Sequence, residues 1–179
     1  MKKLITLLSV ILLFAFSSCE EPGITKRTIT PKIGVEYEGG IVFHIFEEGE
    51  NGYVEGEIHG LIYADTTLGM FIWGCQNAPL VSFNESGEWN TDVIVEHCPG
   101  ENAAYECILT SLNGYWDWWL PSLEEFQLLS ETLIVDRSEY YWTSTKHSYF
   151  NAYAIRPING AVINAQVVIE YNVLPIRKF

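Results

Sequence analysis

Positive charge is scarce in this sequence. Its 179 residues include ten Lys and Arg against 23 Asp and Glu, which gives a formal net charge of −13. A surface this acidic repels polyanions at long range, so nucleic acid, sulfated glycans and anionic lipid headgroups are excluded as favoured partners. Neutral or cationic partners fit the charge better.

Catalytic motifs are missing as well. The sequence has no Gly-x-Ser-x-Gly elbow, no phosphate-binding loop and no His-Glu-x-x-His motif. A carboxylate pair for glycoside hydrolysis could be drawn from Asp117, Glu124 and Glu125, but a helix cap accounts for the last two. We therefore expect a protein that is not an enzyme.

Metal-ligand spacing is also absent. Five glutamates between Glu47 and Glu57 match no calcium loop, and we interpret them as a solvated acidic loop. No cysteine pair has the spacing of a zinc site, and the four histidines are scattered: His44, His59, His97 and His147. We expect no metal and no cofactor.

The N-terminus has the anatomy of a bacterial secretion signal. "MKK" is followed by the apolar run "LITLLSVILLFAFSS" and then by Cys19. This order predicts a signal peptide over residues 1–18 and a lipidated Cys19. The alternative is an uncleaved membrane anchor, but the run is shorter than the ~20 residues of a bilayer span. Cleavage would leave a charge of 8 − 23 = −15.

Residues 19–34 are polar and interrupted by Pro22 and Pro31, which is typical of a flexible tether. Such a segment reaches roughly 20 Å. We therefore expect a lipid-anchored protein of the bacterial cell envelope, placed at the outer membrane on its periplasmic or outer side. Its partner there would be the membrane through the anchor.

Three cysteines remain after Cys19: Cys75, Cys98 and Cys107. An oxidising compartment favours one disulfide among them. Cys107 fits the apolar face of the helical segment "ENAAYECILTSLNG", where it would be a small buried side chain. We therefore prefer the pairing of Cys75 with Cys98, worth about 3 kcal/mol on the chain-entropy model.

Residues 35–179 are predicted to form one α+β domain. "GGIVFHIF" and "HGLIYA" indicate a hairpin, and helices follow in "NTDVIVEHC", capped by Asn90/Thr91, and in "ENAAYECILTSLNG", stopped by Asn113-Gly114. Four β-rich segments come last: "YYWTST", "NAYAIRP", "GAVINAQVVIEY" and "VLPIRKF". This order predicts that the two ends of the domain meet in one sheet.

An aromatic cluster stands between helices and strands, in "NGYWDWWLPSLEEF". Ser122 and Glu125 form a capping box that begins a helix, so the preceding Trp119, Leu120 and Pro121 are expected in the core. In an extended approach, side chains alternate between two faces. Trp116, Asp117 and Trp118 are the candidate ligand platform, with burial of Trp118 left open as the alternative.

These fragments, in this order, resemble one bacterial family. "GGIVFHI", "HGLIYA", "WGC", "NTDVIVEHC", "LNGYWDWWLPSLEEF", "YWTST" and "LPIRKF" are similar to the C-terminal domain of the Legionella collagen-like adhesin, also called the Fibrobacter succinogenes major paralogous domain. The similarity runs from about Gly39 to Phe179. More distantly, "WLPSLEEF" and "YWTST" resemble formylglycine-generating enzymes and other C-type-lectin-like folds. These motifs give Trp142 and Arg177 structural roles.

The resemblance implies a C-type-lectin-like domain that binds a glycan or a protein and serves adhesion. The sequence departs from the adhesin in lacking Gly-X-Y repeats, and its acidity speaks against sulfated glycans. It also has no cysteine after Cys107, so the chemistry of the enzymatic relatives does not carry over.

Three hypotheses follow: a lectin-like binding lipoprotein, a purely structural envelope module, and an enzyme of unknown chemistry. A glycan binder should expose an aromatic face beside amides or carboxylates, whereas a structural module should bury all six tryptophans. The sequence leaves the oligomeric state open.

Overall fold

Two β-sheets and three helices make up the part of the chain that the computed structural model describes, residues 30–81 and 86–179. The predicted signal peptide, Cys19 and most of the predicted tether lie outside the described residues. Pro31 is already buried, and the Gly34 amide donates a hydrogen bond to the Val42 carbonyl at 2.7 Å. Packing against the domain therefore begins slightly before the predicted boundary at residue 35.

The first sheet joins the two ends of the domain. Its strands are β1 (Glu36–Tyr37), β2 (Gly40–Ile45), β3 (Gly60–Tyr63) and β9 (Ile176–Lys178), in that spatial order and all antiparallel. The C-terminal strand pairs with β3 through Ile62 and Arg177. The predicted hairpin and the predicted meeting of the two ends are both present.

The second sheet has the order β4-β8-β5-β6-β7. Its strands are β4 (Gly69–Ile72), β5 (Tyr141–Lys146), β6 (Asn151–Arg156), β7 (Ala161–Gln166) and β8 (Glu170–Val173). The segment "GAVINAQVVIEY", predicted as one strand, turns after Gln166 and becomes two. The second of these, β8, runs between β4 and β5 and pairs in parallel with β5.

The helices are α1 (Gly87–His97), α2 (Ala103–Leu109) and α3 (Leu123–Leu129). The predicted Asn90/Thr91 cap was wrong, because Ser86 caps α1 and Asn90 and Thr91 lie buried inside the helix. The predicted end of α2 was also wrong, since the helix stops at Thr110. Polar residues that resemble a cap in sequence are here used for buried hydrogen bonds, such as that from Thr91 Oγ1 to the Gly87 carbonyl.

Two clusters of buried side chains form the core. One contains Trp118, Trp119 and Phe126 with residues of the first sheet, and the other contains Trp73, Trp142 and Leu120 with residues of the second. The α+β class predicted from the sequence is confirmed. Within the described ranges, no helix has the length and apolar character needed to cross a bilayer.

Candidate functional site

A tight hairpin presents the aromatic cluster. Leu112 and Tyr115 exchange two backbone hydrogen bonds of 3.1 and 3.0 Å, and Asn113 and Gly114 between them both have positive φ, 53° and 87°. Such a two-residue turn suits Asn-Gly, because both positions require the left-handed region. The Asn113 amide also donates to the Gly39 carbonyl at 2.8 Å. Asn113-Gly114, predicted as a helix stop, is therefore a hairpin turn fixed to the first sheet.

Arg177 of β9 holds the segment that follows the turn. Its guanidinium donates to both carboxylate oxygens of Asp117, at 2.6 and 3.0 Å, and to the Glu38 carbonyl at 3.0 Å. The Tyr115 ring centroid lies 4.0 Å from the guanidinium carbon. Bidentate pairing and stacking on an aromatic ring are both specific to the planar guanidinium. Arg177, only 6% exposed, therefore ties β9 to the segment after the turn.

Trp116 projects from this fixed support into solvent. It is 71% exposed, and the neighbouring Asp117 side chain is 58% exposed despite its pairing with Arg177. An exposed indole offers a flat apolar face for a pyranose ring or an apolar side chain. The adjacent carboxylate can accept hydrogen bonds from hydroxyl or amide donors. The structure thus brings together two of the three predicted platform residues.

Trp118 was wrongly placed on the platform. It is 1% exposed, and its Nε1 donates to the Tyr115 carbonyl at 3.1 Å. The predicted alternation fails because Trp118, Trp119, Leu120 and Pro121 are all buried in succession. This stretch lies between the two core clusters, so both of its faces are covered. Trp119 also pairs with Ile176 by two backbone hydrogen bonds, of 2.9 and 3.0 Å.

A cleft of about 320 Å³ lies beside the hairpin. Asn113 and Gly39 line it, together with Glu36, Asp65 and Ile134. Its polar side chains are carboxylates and an amide, and none of the described residues that line it is a lysine or arginine. The cleft adjoins the hairpin turn through Asn113 and presents further hydrogen-bond acceptors there.

The helix after the aromatic cluster starts with the predicted capping box. Glu125 N donates to Ser122 Oγ at 3.2 Å, and Ser122 N donates to Glu125 Oε2 at 2.8 Å. The same oxygen accepts from Gly87 N at 3.1 Å, so one carboxylate ties the start of α1 to that of α3. Burial raises the pKa of Glu125, although the backbone hydrogen bonds partly offset this effect. Its role is structural.

The predicted disulfide joins Cys75 to Cys98, with 5.3 Å between their Cα atoms. Cys107 is buried and free, and burial raises the pKa of its thiol well above the ordinary value. Trp142, given a structural role by its motif, is fully buried and donates from Nε1 to the Phe71 carbonyl at 2.9 Å.

The sequence did not predict the positions of two residues, Trp89 and Lys146. Trp89 is 58% exposed in the first turn of α1, and it was missed because the helix was predicted to start after it. Lys146 is buried and donates to the carbonyls of Gln76 and Ala78, while burial lowers its pKa. No local pattern marks a lysine that fixes a distant loop.

Within residues 30–81 and 86–179, no three His, Cys, Asp or Glu side chains are placed to hold a metal ion.

Comparison with known proteins yields little. No family model and no curated protein matches the sequence. One solved structure with similarity is a fimbrial protein from Bacteroides ovatus, at 14% identity and a TM-score of 0.41. The alignment covers 76% of this chain and 43% of that one, so this chain spans less than half the length of the fimbrial protein. At this level the similarity carries no inference about fold or function, and membership of the adhesin family stays a prediction from the motifs.

Proposed function

We propose that this protein is a cell-envelope lipoprotein whose lectin-like domain binds a neutral glycan or a protein through the Trp116 hairpin. The exposure of Trp116 is the observation that carries the proposal. The Trp116 indole is 71% exposed, and the ion pair between Arg177 and Asp117 fixes the hairpin that carries it. Burial of this indole therefore does not stabilise the core. Trp89 is exposed as well, and what distinguishes Trp116 is the fixed hairpin beneath it and the exposed carboxylate of Asp117 beside it.

The chemistry of the surface favours a ligand rich in hydrogen-bond donors. Trp116 supplies the stacking face, Asp117 a carboxylate, and the adjoining cleft the carboxylates of Glu36 and Asp65. Arg177, the nearest cation to Asp117, already directs its donors to Asp117 and Glu38. Sugar hydroxyls and peptide amides satisfy carboxylate acceptors, whereas a sulfated or carboxylated ligand is repelled.

Anchoring follows from the N-terminal sequence. Lipidation of Cys19 and a flexible tether would hold the domain near the outer membrane without fixing its orientation. Labelling with a palmitate analogue tests the anchor: the parent should be labelled and Cys19→Ser should not. Equal labelling of both would contradict a lipid on this cysteine.

A glycan-array screen of the full chain tests the binding proposal. The parent should bind one or more neutral glycans, and Trp116→Ala should lose most of that binding. Trp89→Ala is the matched control, because it removes the other exposed tryptophan and should leave binding unchanged. Equal losses from both variants would exclude the hairpin as a specific site. If no glycan is bound, a screen against envelope proteins with the same three chains decides whether the hairpin has a protein ligand.

A further inference from the structure

Strand β7 forms an open edge of the second sheet. It pairs with β6 through six consecutive residues, and no strand among residues 30–81 and 86–179 pairs with its other side. Val167 N donates to the Phe150 carbonyl at 2.9 Å. Because hydrogen-bonded pairs alternate along an antiparallel ladder, the amides of Ala165 and Ile163 bond to β6 as well. The amides of Val162, Asn164 and Gln166 therefore point away from the sheet.

This edge lacks the features with which proteins usually block strand addition. Natural edges are short, charged, bulged, covered or interrupted by proline. The sequence of β7, "AVINAQ", has no charge and no proline, and its register with β6 is regular. The other edges differ: β1 has two residues, β9 carries Arg177 and Lys178 and is flanked by Trp119, and β4 packs near α2.

The stretch of chain that forms β7 and its neighbouring strands lacks acidic residues. None of the 23 Asp and Glu falls within residues 140–169, a stretch that contains β5, β6 and β7. Apolar side chains next to the edge are exposed, among them Ile158 at 61% and Val168 at 55%. Pairing through β7 therefore brings no Asp or Glu of the strands themselves into contact, although each copy is strongly acidic.

We propose that β7 pairs with β7 of a second copy of this chain, antiparallel and about a two-fold axis. The outward-facing residues allow a self-complementary register, in which Asn164 faces Asn164 of the other copy and Val162 faces Gln166. An isologous contact of this kind closes on itself and forms a dimer rather than a fibre. The two five-stranded sheets would become one continuous sheet.

Cross-linking in intact bacterial membranes tests this contact with the full chain. Asn164→Cys places a thiol at the proposed axis, and a bis-maleimide should then join two chains into a product of twice the monomer mass. Cys75 and Cys98 are bonded to each other and Cys107 is buried, so these cysteines should not react. Cys19 is blocked if it carries the proposed lipid, and the parent chain, which retains Cys19 and should give no product, controls for it. Gln127→Cys, exposed on α3, is the matched control and should give no such product.

A second variant addresses the register. Adding Val162→Glu and Gln166→Glu to the Asn164→Cys chain places glutamates opposite each other in the proposed dimer, and the cross-linked product should disappear. Three results would overturn the proposal: no product from Asn164→Cys, equal product from Gln127→Cys, or a product whose mass shows a different partner. Unchanged cross-linking in the glutamate variant would overturn the β7 pairing as well.

Discussion

Arg177 fixes the Trp116 hairpin although the two are far apart in sequence. Its guanidinium contacts the carboxylate of Asp117, the carbonyl of Glu38 and the ring of Tyr115 at once. Since Arg177 is nearly buried, its charge depends on these partners for solvation. The segment that carries the exposed Trp116 indole is thus held in place by one arginine with three partners.

Asp117→Asn should destabilise the domain because it removes the charge opposite Arg177. A buried group left with incomplete partners typically costs about 1–3 kcal/mol. Chemical denaturation of parent and variant measures the change. Glu55→Gln, which neutralises an exposed carboxylate in the loop before β3, should change stability by less than about 0.5 kcal/mol. Equal effects would mean that the Asp117–Arg177 pair has no special role.

Cys107 should be chemically silent in the folded protein. Burial excludes reagents, and the raised pKa of the thiol keeps it protonated at neutral pH. A maleimide should therefore label Cys107 only after denaturation. Rapid labelling of the native chain at this position would contradict the packing of α2.

Helices and strands could be predicted from the sequence where the residues that define them are close together in the chain. The Ser122 and Glu125 capping box depends on residues three apart, and the strand of "GGIVFHIF" on a run of apolar residues, so both were predictable. Strand β4 was not, because its four residues form a strand only by pairing with the distant β8. Trp118 was misplaced for a similar reason: alternation holds for a strand with one buried face, and this segment has two.

Glu125 should make stability depend on pH at the junction of α1 and α3. Its pKa is raised in the folded state, so the folded protein binds its proton more tightly than the unfolded chain. The contribution of Glu125 is therefore most favourable below the ordinary carboxyl pKa of 4.5 and declines as pH rises through the raised value. Glu125→Gln removes this titration.

The measurement is the difference in unfolding free energy between parent and Glu125→Gln across that pH range. The difference should move against the parent as pH increases. A difference that stays constant, or that moves in favour of the parent, would show that hydrogen bonds from Ser122 and Gly87 outweigh burial.

Charge is unevenly distributed over the protein. Asp117 lies in the Trp116 hairpin and Glu36 and Asp65 line the neighbouring cleft, whereas residues 140–169 contain no Asp or Glu. The disulfide and Lys146 both fix the loop at Cys75–Ala78. The proposed ligand site and the proposed contact between copies therefore use surfaces of different chemistry.

Removing the disulfide should weaken the domain without abolishing its fold. The bridge spans a sequence separation of 23, for which chain entropy gives about 3 kcal/mol. The double variant Cys75→Ala/Cys98→Ala should lose about this much unfolding free energy in chemical denaturation. A loss of less than about 1 kcal/mol would show that Lys146 alone holds the loop.

Thermal melts of Trp116→Ala and Trp119→Ala test whether Trp116 lies outside the core that its neighbours build. Trp119 is 4% exposed, and truncating a buried tryptophan typically costs ~3–5 kcal/mol. Trp119→Ala should therefore melt far below the parent or fail to fold. Trp116→Ala should melt close to the parent, within about 0.5 kcal/mol, as surface substitutions do. Large and equal losses in both variants would make Trp116 part of the core and remove the proposed ligand platform.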